Sequence, residues 1–200
     1  KGLVLGPSAR YFPRWCVIPQ AADRRGEEGT AMTDKLRPVT VYDIPDNAFK
    51  LIADDWMLIT AGGPGAFNTM TASWGGVGEL WHRKIAICFV RPTRYTYEFM
   101  NRHEFFTLTF FDERYREVLN LCGRRSGRDF DKMGGIGLTP IASPRGSVYF
   151  AEARLVLECR KVYTHDLDPA HFLDPAIEQE YPRRDYHRMY IGQIETCLRR

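Results

Sequence analysis

The sequence has little of what marks a secreted, membrane-spanning or zinc-binding protein. Its longest apolar runs, such as KIAICFV, fall far short of the about 20 residues that cross a bilayer. No stretch has the positive, apolar and small-residue order of a secretory signal. The five cysteines form no Cys-x-x-Cys pair and give neither a zinc motif nor a disulfide framework. We therefore expect a soluble cytoplasmic protein with reduced, packed cysteines.

The chain also has little excess of positive over negative charge. The net charge is only +3, and the arginines are dispersed along the chain. This argues against a nucleic-acid-binding surface and fits a small anionic ligand better. His82, His103, His165 and His171 have no metal-ligand spacing with cysteines or acidic residues, so we predict no metal site. The expected partners exclude nucleic acid and membranes.

The first 31 residues differ from the rest of the chain. Residues 1–31 show no sustained period of 2 or 3.6 and are interrupted by three prolines. We predict a leader or an extension there, poorly ordered unless a partner or a second subunit holds it. Residues 32–200 are expected to form one domain, since the chain is 44% hydrophobic and has no long low-complexity tract.

Short runs rich in Ile, Val, Thr and aromatic residues dominate from residue 51 onward and predict β-strands. These runs are WMLITA, NTMTAS, KIAICFV, FFTLTFF, EARLVLECRKVYT and YHRMYIGQIETCL. Helices are predicted for TRYTYEFMNR after Pro92, for ERYREVLNLCG between an Asp112 N-cap and a Gly123 C-terminal cap, and for RDFDKMG. Many strands without regular helix alternation indicate a closed or partly closed antiparallel barrel with helices outside.

The glycine-rich segment AGGPGAFNTMTASWGG, residues 61–76, lacks the signals of a nucleotide-binding loop. No Lys-Ser or Lys-Thr pair follows its glycines, and the next residues favour a strand instead of a helix. Gly62, Gly63, Pro64 and Gly65 therefore predict a hairpin turn.

Alternation in the following strand separates two faces. Asn68, Met70 and Ala72 share one face, and Thr69, Thr71 and Ser73 share the other. A row of hydroxyls is ordinary on a solvated strand face, and it also suits a face that binds a ligand.

Two arginines lie where a helix is predicted to begin. Arg91 and Arg94 flank the start of this helix, where the macrodipole disfavours cations by roughly 0.3 to 1 kcal/mol each unless an anion is bound. Thr93 and Thr96 add hydroxyl donors in the same turn. The pattern suits one phosphate monoester, and solvent-exposed arginines without a partner are the alternative.

Five motifs in order resemble a known family. These are NTMTASWGG, RPTRYT, SGRDFDKM with GLTPI, LVLECRKV and HRMYIGQI. Between about residues 46 and 195 the chain resembles the flavin reductase-like family with the FMN-binding split-barrel fold, its flavoredoxin-type members in particular. The resemblance implies a mainly β single domain with flanking helices, a split β-barrel, and a homodimer with FMN near the subunit interface.

The resemblance also implies a set of site residues. In the family, the matching positions form a strand beside the flavin, an aromatic residue, a phosphate-binding segment and a loop near the cofactor. In this chain they are Asn68, Thr69, Met70, Thr71, Ala72, Ser73, Trp74, Arg91, Arg94, Thr96, Ser126, Gly127 and Lys132. His187 matches a histidine that lies near the flavin or nicotinamide in related reductases, and it is the catalytic candidate. Here RDY precedes it instead of the glycine and aspartate common in those reductases. A partly exposed histidine on a terminal strand is the alternative.

The implied function is an FMN-dependent oxidoreductase of the NAD(P)H-dependent flavin reductase type, in which hydride reaches N5 of the flavin. A flavoredoxin-like electron carrier between protein partners is the alternative. A third possibility is a split barrel that binds another anionic ligand, such as pyridoxal phosphate or haem, or that serves only as a dimeric scaffold. Residues 165–186, rich in prolines and charges, suit either a lid or interface arm or a surface excursion.

Overall fold

The computed structural model describes residues 35–129 and 135–200, in which β-strands dominate. The strands are β1 Arg37–Pro38, β2 Met57–Gly63, β3 Ala66–Ala72, β4 Gly75–Leu80, β5 Arg83–Val90, β6 Phe105–Phe110, β7 Pro140–Ala142, β8 Val148–Phe150, β9 Leu155–Asp166 and β10 Arg188–Arg199. The α-helices are α1 Tyr95–Arg102 and α2 Arg116–Arg124. Short 3₁₀ or π-helical segments lie at Val41–Asp43, Lys50–Asp54, Glu113–Tyr115, Pro169–His171 and Pro175–Glu180. The leader predicted for residues 1–31 lies outside the described residues.

Eight of these strands form one antiparallel sheet. The strand order is β3-β2-β6-β9-β10-β5-β4, with β1 paired to the end of β10, and β7 and β8 form a separate hairpin. Among the described residues no ladder joins the edge strands β3 and β4, so the sheet is not a closed barrel. The mainly β fold with few helices is thus confirmed, and the fully closed alternative is wrong.

The predicted hairpin turn joins β2 to β3. Gly63 pairs with Ala66, so Pro64 and Gly65 form the two-residue connection. Gly62 and Gly65 have φ values of 107° and 89°, which side chains disfavour and glycine adopts freely. The turn prediction is confirmed.

Both described helices differ from prediction at their ends. Helix α1 begins at Tyr95, because residues 91–94 form a turn closed by Arg94 N–H to the Arg91 carbonyl at 3.0 Å. Helix α2 extends to Arg124, so Gly123 lies inside it and is not its cap. The predicted cap is wrong because the chain leaves α2 at Arg125 with an extended backbone, which needs no glycine. The predicted helix RDFDKMG falls mostly on residues 130–134, outside the described residues.

The central strands bury side chains on both faces. One cluster includes Met57, Ile59 and Phe106, and a second, beneath α2, includes Leu58 and Leu119. The four described cysteines are buried thiols, which confirms the expectation of reduced, packed cysteines for them. Strand β3 forms one edge of this sheet, where the ends of both helices reach it.

Candidate functional site

A cleft of about 230 Å³ opens where β3 ends. The turn before α1, the C-terminal end of α2 and the residue before β10 complete its walls. The residues that line it are Met70, Thr71, Ala72, Ser73, Trp74, Phe89, Arg91, Arg94, Gly123 and His187. A smaller cavity of about 80 Å³ shares Met70 and Arg94 with it and is also lined by Asn68, Thr93, Tyr95, Thr96, Arg124, Arg125, Ser126 and Gly127. Four chain segments far apart in sequence therefore meet at one place.

Among the described residues that the sequence assigned to cofactor binding, Thr69 alone lines neither cavity. Thr69 is fully buried, and its Oγ1 lies 2.9 Å from Oγ1 of Thr60. Lys132 lies outside the described residues. Thr71 lines the larger cavity, but its hydroxyl donates to the Leu119 carbonyl at 2.5 Å. The solvated-face interpretation of the hydroxyl row is therefore wrong, because Thr69 bonds to residues of β2 and Thr71 bonds to a carbonyl of α2.

Arg94 is the N-cap residue of α1 and connects it to α2. Its Nη2 donates to the Gly123 carbonyl at 2.8 Å and to the Cys122 carbonyl at 3.4 Å. These are among the last carbonyls of α2, where the helix dipole favours a cation. Burial, with the charge of Arg91 second, lowers the pKa of Arg94 from its ordinary value.

Arg91 is held from the other side of the cleft. Its Nη1 donates to Asp185 Oδ1 at 2.9 Å and its Nη2 donates to the Glu180 carbonyl at 2.8 Å. The alternative of arginines without partners is therefore wrong. A guanidinium has five N–H groups, and these bonds use two of those on Arg91.

Asn68 and Gly127 form a close contact beside the smaller cavity. The Thr96 hydroxyl donates to Asn68 Oδ1 at 2.7 Å. A Cβ atom on Gly127 would lie 2.0 Å from Asn68 Nδ2, so only glycine fits there without displacement of Asn68. Ser126 accepts from the Arg128 N–H at 3.2 Å and so shapes the turn around Gly127. The three predicted residues Asn68, Thr96 and Gly127 thus hold α1, β3 and the loop after α2 together.

His187 lies at the wall of the larger cavity and is only 8% exposed. The rings of Trp74, Tyr181 and Phe89 surround it, with centroids 5.0, 5.6 and 6.4 Å from its own. Burial, with the charge of Arg91 second, lowers the pKa of His187 to about 4. The alternative of a partly exposed histidine is wrong, and the ring is neutral at pH 7.

Residues 165–186 run along the surface but contact the cleft at two points. Most of the segment is exposed, whereas Tyr181 is only 4% exposed and packs on His187. Asp185 pairs with Arg91. Sequence reasoning missed Tyr181, Asp185 and Phe89. For Phe89 a signal existed, since alternation along β5 places it on the same face as Arg91.

Residues 35–129 and 135–200 contain no group of three or more His, Cys, Asp or Glu side chains placed to hold a metal ion. None of the helices in this part is long and apolar enough to cross a membrane.

Comparison with known proteins gives one family and several similar structures. The model of the flavin reductase like domain matches residues 49–199. A search of curated proteins finds no match. An FMN-binding domain of a flavin reductases-like enzyme from Shewanella baltica is 16% identical, with a TM-score of 0.60 over 82% of this chain and 76% of that one.

Two other similar structures have the same architecture. A flavoredoxin from Methanosarcina acetivorans is 19% identical, with a TM-score of 0.56 over 88% of this chain and 76% of that one. An NADH:FAD oxidoreductase from Streptomyces globisporus is 14% identical, with a TM-score of 0.57 over 73% and 75%. At these identities the likeness concerns the fold, and the predicted split-barrel class is confirmed.

Proposed function

This chain belongs to the flavin reductase like family, and on that premise we propose that it is an FMN-binding oxidoreductase that takes hydride from NADH or NADPH. The observation that carries the proposal is the cleft in which Arg91, Arg94, the end of β3 and His187 meet. Two of the similar structures, an FMN-binding domain and an NADH:FAD oxidoreductase, support it.

The arginine side of the cleft fits the phosphate of FMN. Arg91 and Arg94 line it together, and the N-terminus of α1 begins directly after Arg94. Guanidinium groups and helix N-termini are both favourable sites for a phosphate monoester. The described hydrogen bonds of each arginine use two of five N–H groups. Both side chains can therefore keep these bonds and still donate to an anion.

The other side of the cleft fits a flat ring system. Trp74 is 43% exposed and lies beside His187, so the cleft has an aromatic surface. Strand β3 is one of the two edge strands of the sheet in the described part of the chain, so one edge of its backbone faces away from the ladder. Main-chain N–H groups at such an edge would stabilise negative charge on the pyrimidine part of a reduced flavin.

In this proposal the role of the protein's own residues is to bind and orient the flavin. When bound, FMN supplies the redox chemistry, since N5 of its ring accepts hydride. His187 is neutral at pH 7 because burial lowers its pKa to about 4, so we assign it hydrogen bonding and not proton donation. Its aromatic neighbours exclude water from that wall of the cleft.

We also propose that the protein is a homodimer with FMN near the interface. Trp74, Val77 and Trp81 are 43%, 39% and 55% exposed along β4, an edge strand, and its flanking residues. A second subunit that covers these side chains would remove apolar surface from water. Light scattering of the purified protein should give twice the mass of one chain, and the mass of one chain would refute this part.

An electron carrier is the second candidate function. Leu173 is 98% exposed and Ile177 is 39% exposed on the segment that contacts the cleft. Exposed apolar side chains near a redox site suit a protein partner, and one of the similar structures is a flavoredoxin.

Anaerobic mixing separates the two functions. The FMN-loaded protein is mixed with NADH and, in a parallel sample, with NADPH, while free FMN serves as the control. Rapid bleaching of the flavin absorbance with either nucleotide is expected for the reductase. Bleaching only with a reduced protein donor would favour the carrier. A protein that takes up no added FMN would overturn both candidates.

A further inference from the structure

Tyr181 links the exposed segment 165–186 to the wall of the cleft. Its side chain is buried against Phe172 and Tyr186, with ring centroids 5.9 and 5.0 Å away. The Arg91 guanidinium lies over its ring, 4.9 Å from the centroid. The hydroxyl oxygen of Tyr181 lies 2.9 Å from Nδ1 of His187.

The direction of this hydrogen bond follows from the available acceptors. A buried hydroxyl must donate to an acceptor or lose about 1 to 3 kcal/mol. Within the described residues, His187 Nδ1 is the one hydrogen-bond partner of the Tyr181 hydroxyl. Burial raises the pKa of Tyr181, so its phenol keeps its proton. If Nδ1 carried a proton as well, the phenol O–H would have no acceptor.

The charges around His187 are consistent with a neutral ring. Burial is the largest influence and disfavours the imidazolium, Arg91 disfavours it as well, and Asp185 favours it less strongly than either. A neutral imidazole carries one proton. With Nδ1 as the acceptor, that proton is on Nε2, which has no hydrogen-bond partner within the described residues.

We propose that Tyr181 is a positioning residue that fixes His187 as the Nε2–H tautomer, so that the cleft presents a neutral hydrogen-bond donor to a carbonyl oxygen of the bound ligand. The tautomer is a property of the ligand-free protein. Only the identity of the acceptor rests on the proposed function, which offers two carbonyl sources, the flavin ring and the nicotinamide carboxamide.

Nitrogen NMR tests the tautomer directly. Protein labelled with ¹⁵N in histidine is studied at pH 7 without ligand, and the His187→Gln variant identifies the His187 signals. The wild type should show a protonated Nε2 and an unprotonated Nδ1. A protonated Nδ1, or an imidazolium, would overturn the proposal even if FMN binds as expected.

Two variants test the role of the tyrosine. Tyr181→Phe keeps the ring and removes the donor, and it should give a mixture of both tautomers. Tyr186→Phe is the matched control, because the Tyr186 hydroxyl donates to Glu178 and not to His187. An unchanged tautomer in Tyr181→Phe would refute the positioning role. If that variant does not fold, the wild-type spectrum still decides the tautomer.

Ligand additions distinguish the two acceptors. FMN is added first and oxidised NAD is added afterwards. A shift of the His187 Nε2 signal with FMN alone assigns the acceptor to the flavin, and a shift only after NAD assigns it to the carboxamide. Absence of a shift in both, with FMN binding proven by its fluorescence, would overturn the donor role.

Discussion

Arg94 holds the end of α2 through its carbonyls, and we propose that it also binds the phosphate of FMN. We expect Arg94→Ala to weaken FMN binding by about 1.5 to 3 kcal/mol, the range for a hydrogen bond to a charged group. A fluorescence titration with FMN measures the change. The matched control is Arg102→Ala on the same helix, since the Arg102 side chain is 70% exposed and pairs only with Glu98 among the described contacts. Unchanged affinity in a folded Arg94→Ala variant would contradict the phosphate assignment.

His187 should make stability depend on pH. Its pKa falls from 6.5 to about 4 on folding, so between these values the unfolded chain binds a proton that the folded protein does not. Falling pH in this window therefore destabilises the fold, and the effect is absent above it.

His187→Phe should lose less stability than the wild type as the pH falls through this window. Urea unfolding at several pH values measures the slope, and His171→Gln is the control because the His171 side chain is 81% exposed. Parallel slopes for wild type and His187→Phe would contradict the buried, neutral histidine.

The sequence predicted which residues line the site better than it predicted which groups those residues contact. Arg91, Arg94, Trp74 and His187 were predicted from motifs and do line one cleft. The partners of the arginines could not be predicted, because the carbonyls of α2 and the carboxylate of Asp185 come close only through tertiary packing.

Among the elements, the loop after α2 depends on one glycine. A Cβ on Gly127 would displace Asn68, which is buried and bonded to Thr96. Gly127→Ala should therefore destabilise the protein by about 1 to 3 kcal/mol, as overpacking does, and weaken FMN binding. Urea unfolding and FMN titration measure both. Gly78→Ala is the control for the unfolding measurement, because a Cβ there meets no atom within 4 Å. Equal effects of the two changes would refute this account.

Long runs rich in β-branched and aromatic residues were predicted as strands, whereas the short strands β1, β7 and β8 and the glycine-rich β4 were not. Strands β5, β6 and β9 were expected from composition, and their bounds agree closely. Strand β4 was missed because three of its six residues are glycine, which has low strand propensity. It forms because β5 presents backbone groups that pair with it. Glycine is suited to this strand, because a Cβ on Gly75 would lie 2.5 Å from the Ile87 carbonyl oxygen.

At the scale of the whole molecule, the cleft is a product of sheet topology. The antiparallel order brings β3, α1, the end of α2 and the start of β10 to one place, although they span more than a hundred residues of sequence. No local pattern specifies such an arrangement, so only the resemblance to a family connected these motifs. From the sequence, residues 165–186 suit a lid or interface arm or a surface excursion, but neither the residues nor the resemblance predicts that Tyr181 packs against His187.

The central claim is that this cleft binds the phosphate of FMN through Arg91 and Arg94. The most direct test compares the affinities of the wild-type protein for FMN and for riboflavin, which has the same ring without the phosphate. We predict that FMN binds at least about tenfold more tightly, since one charged hydrogen bond contributes about 1.5 kcal/mol or more. Equal affinity for the two flavins, or binding of neither, would contradict the account.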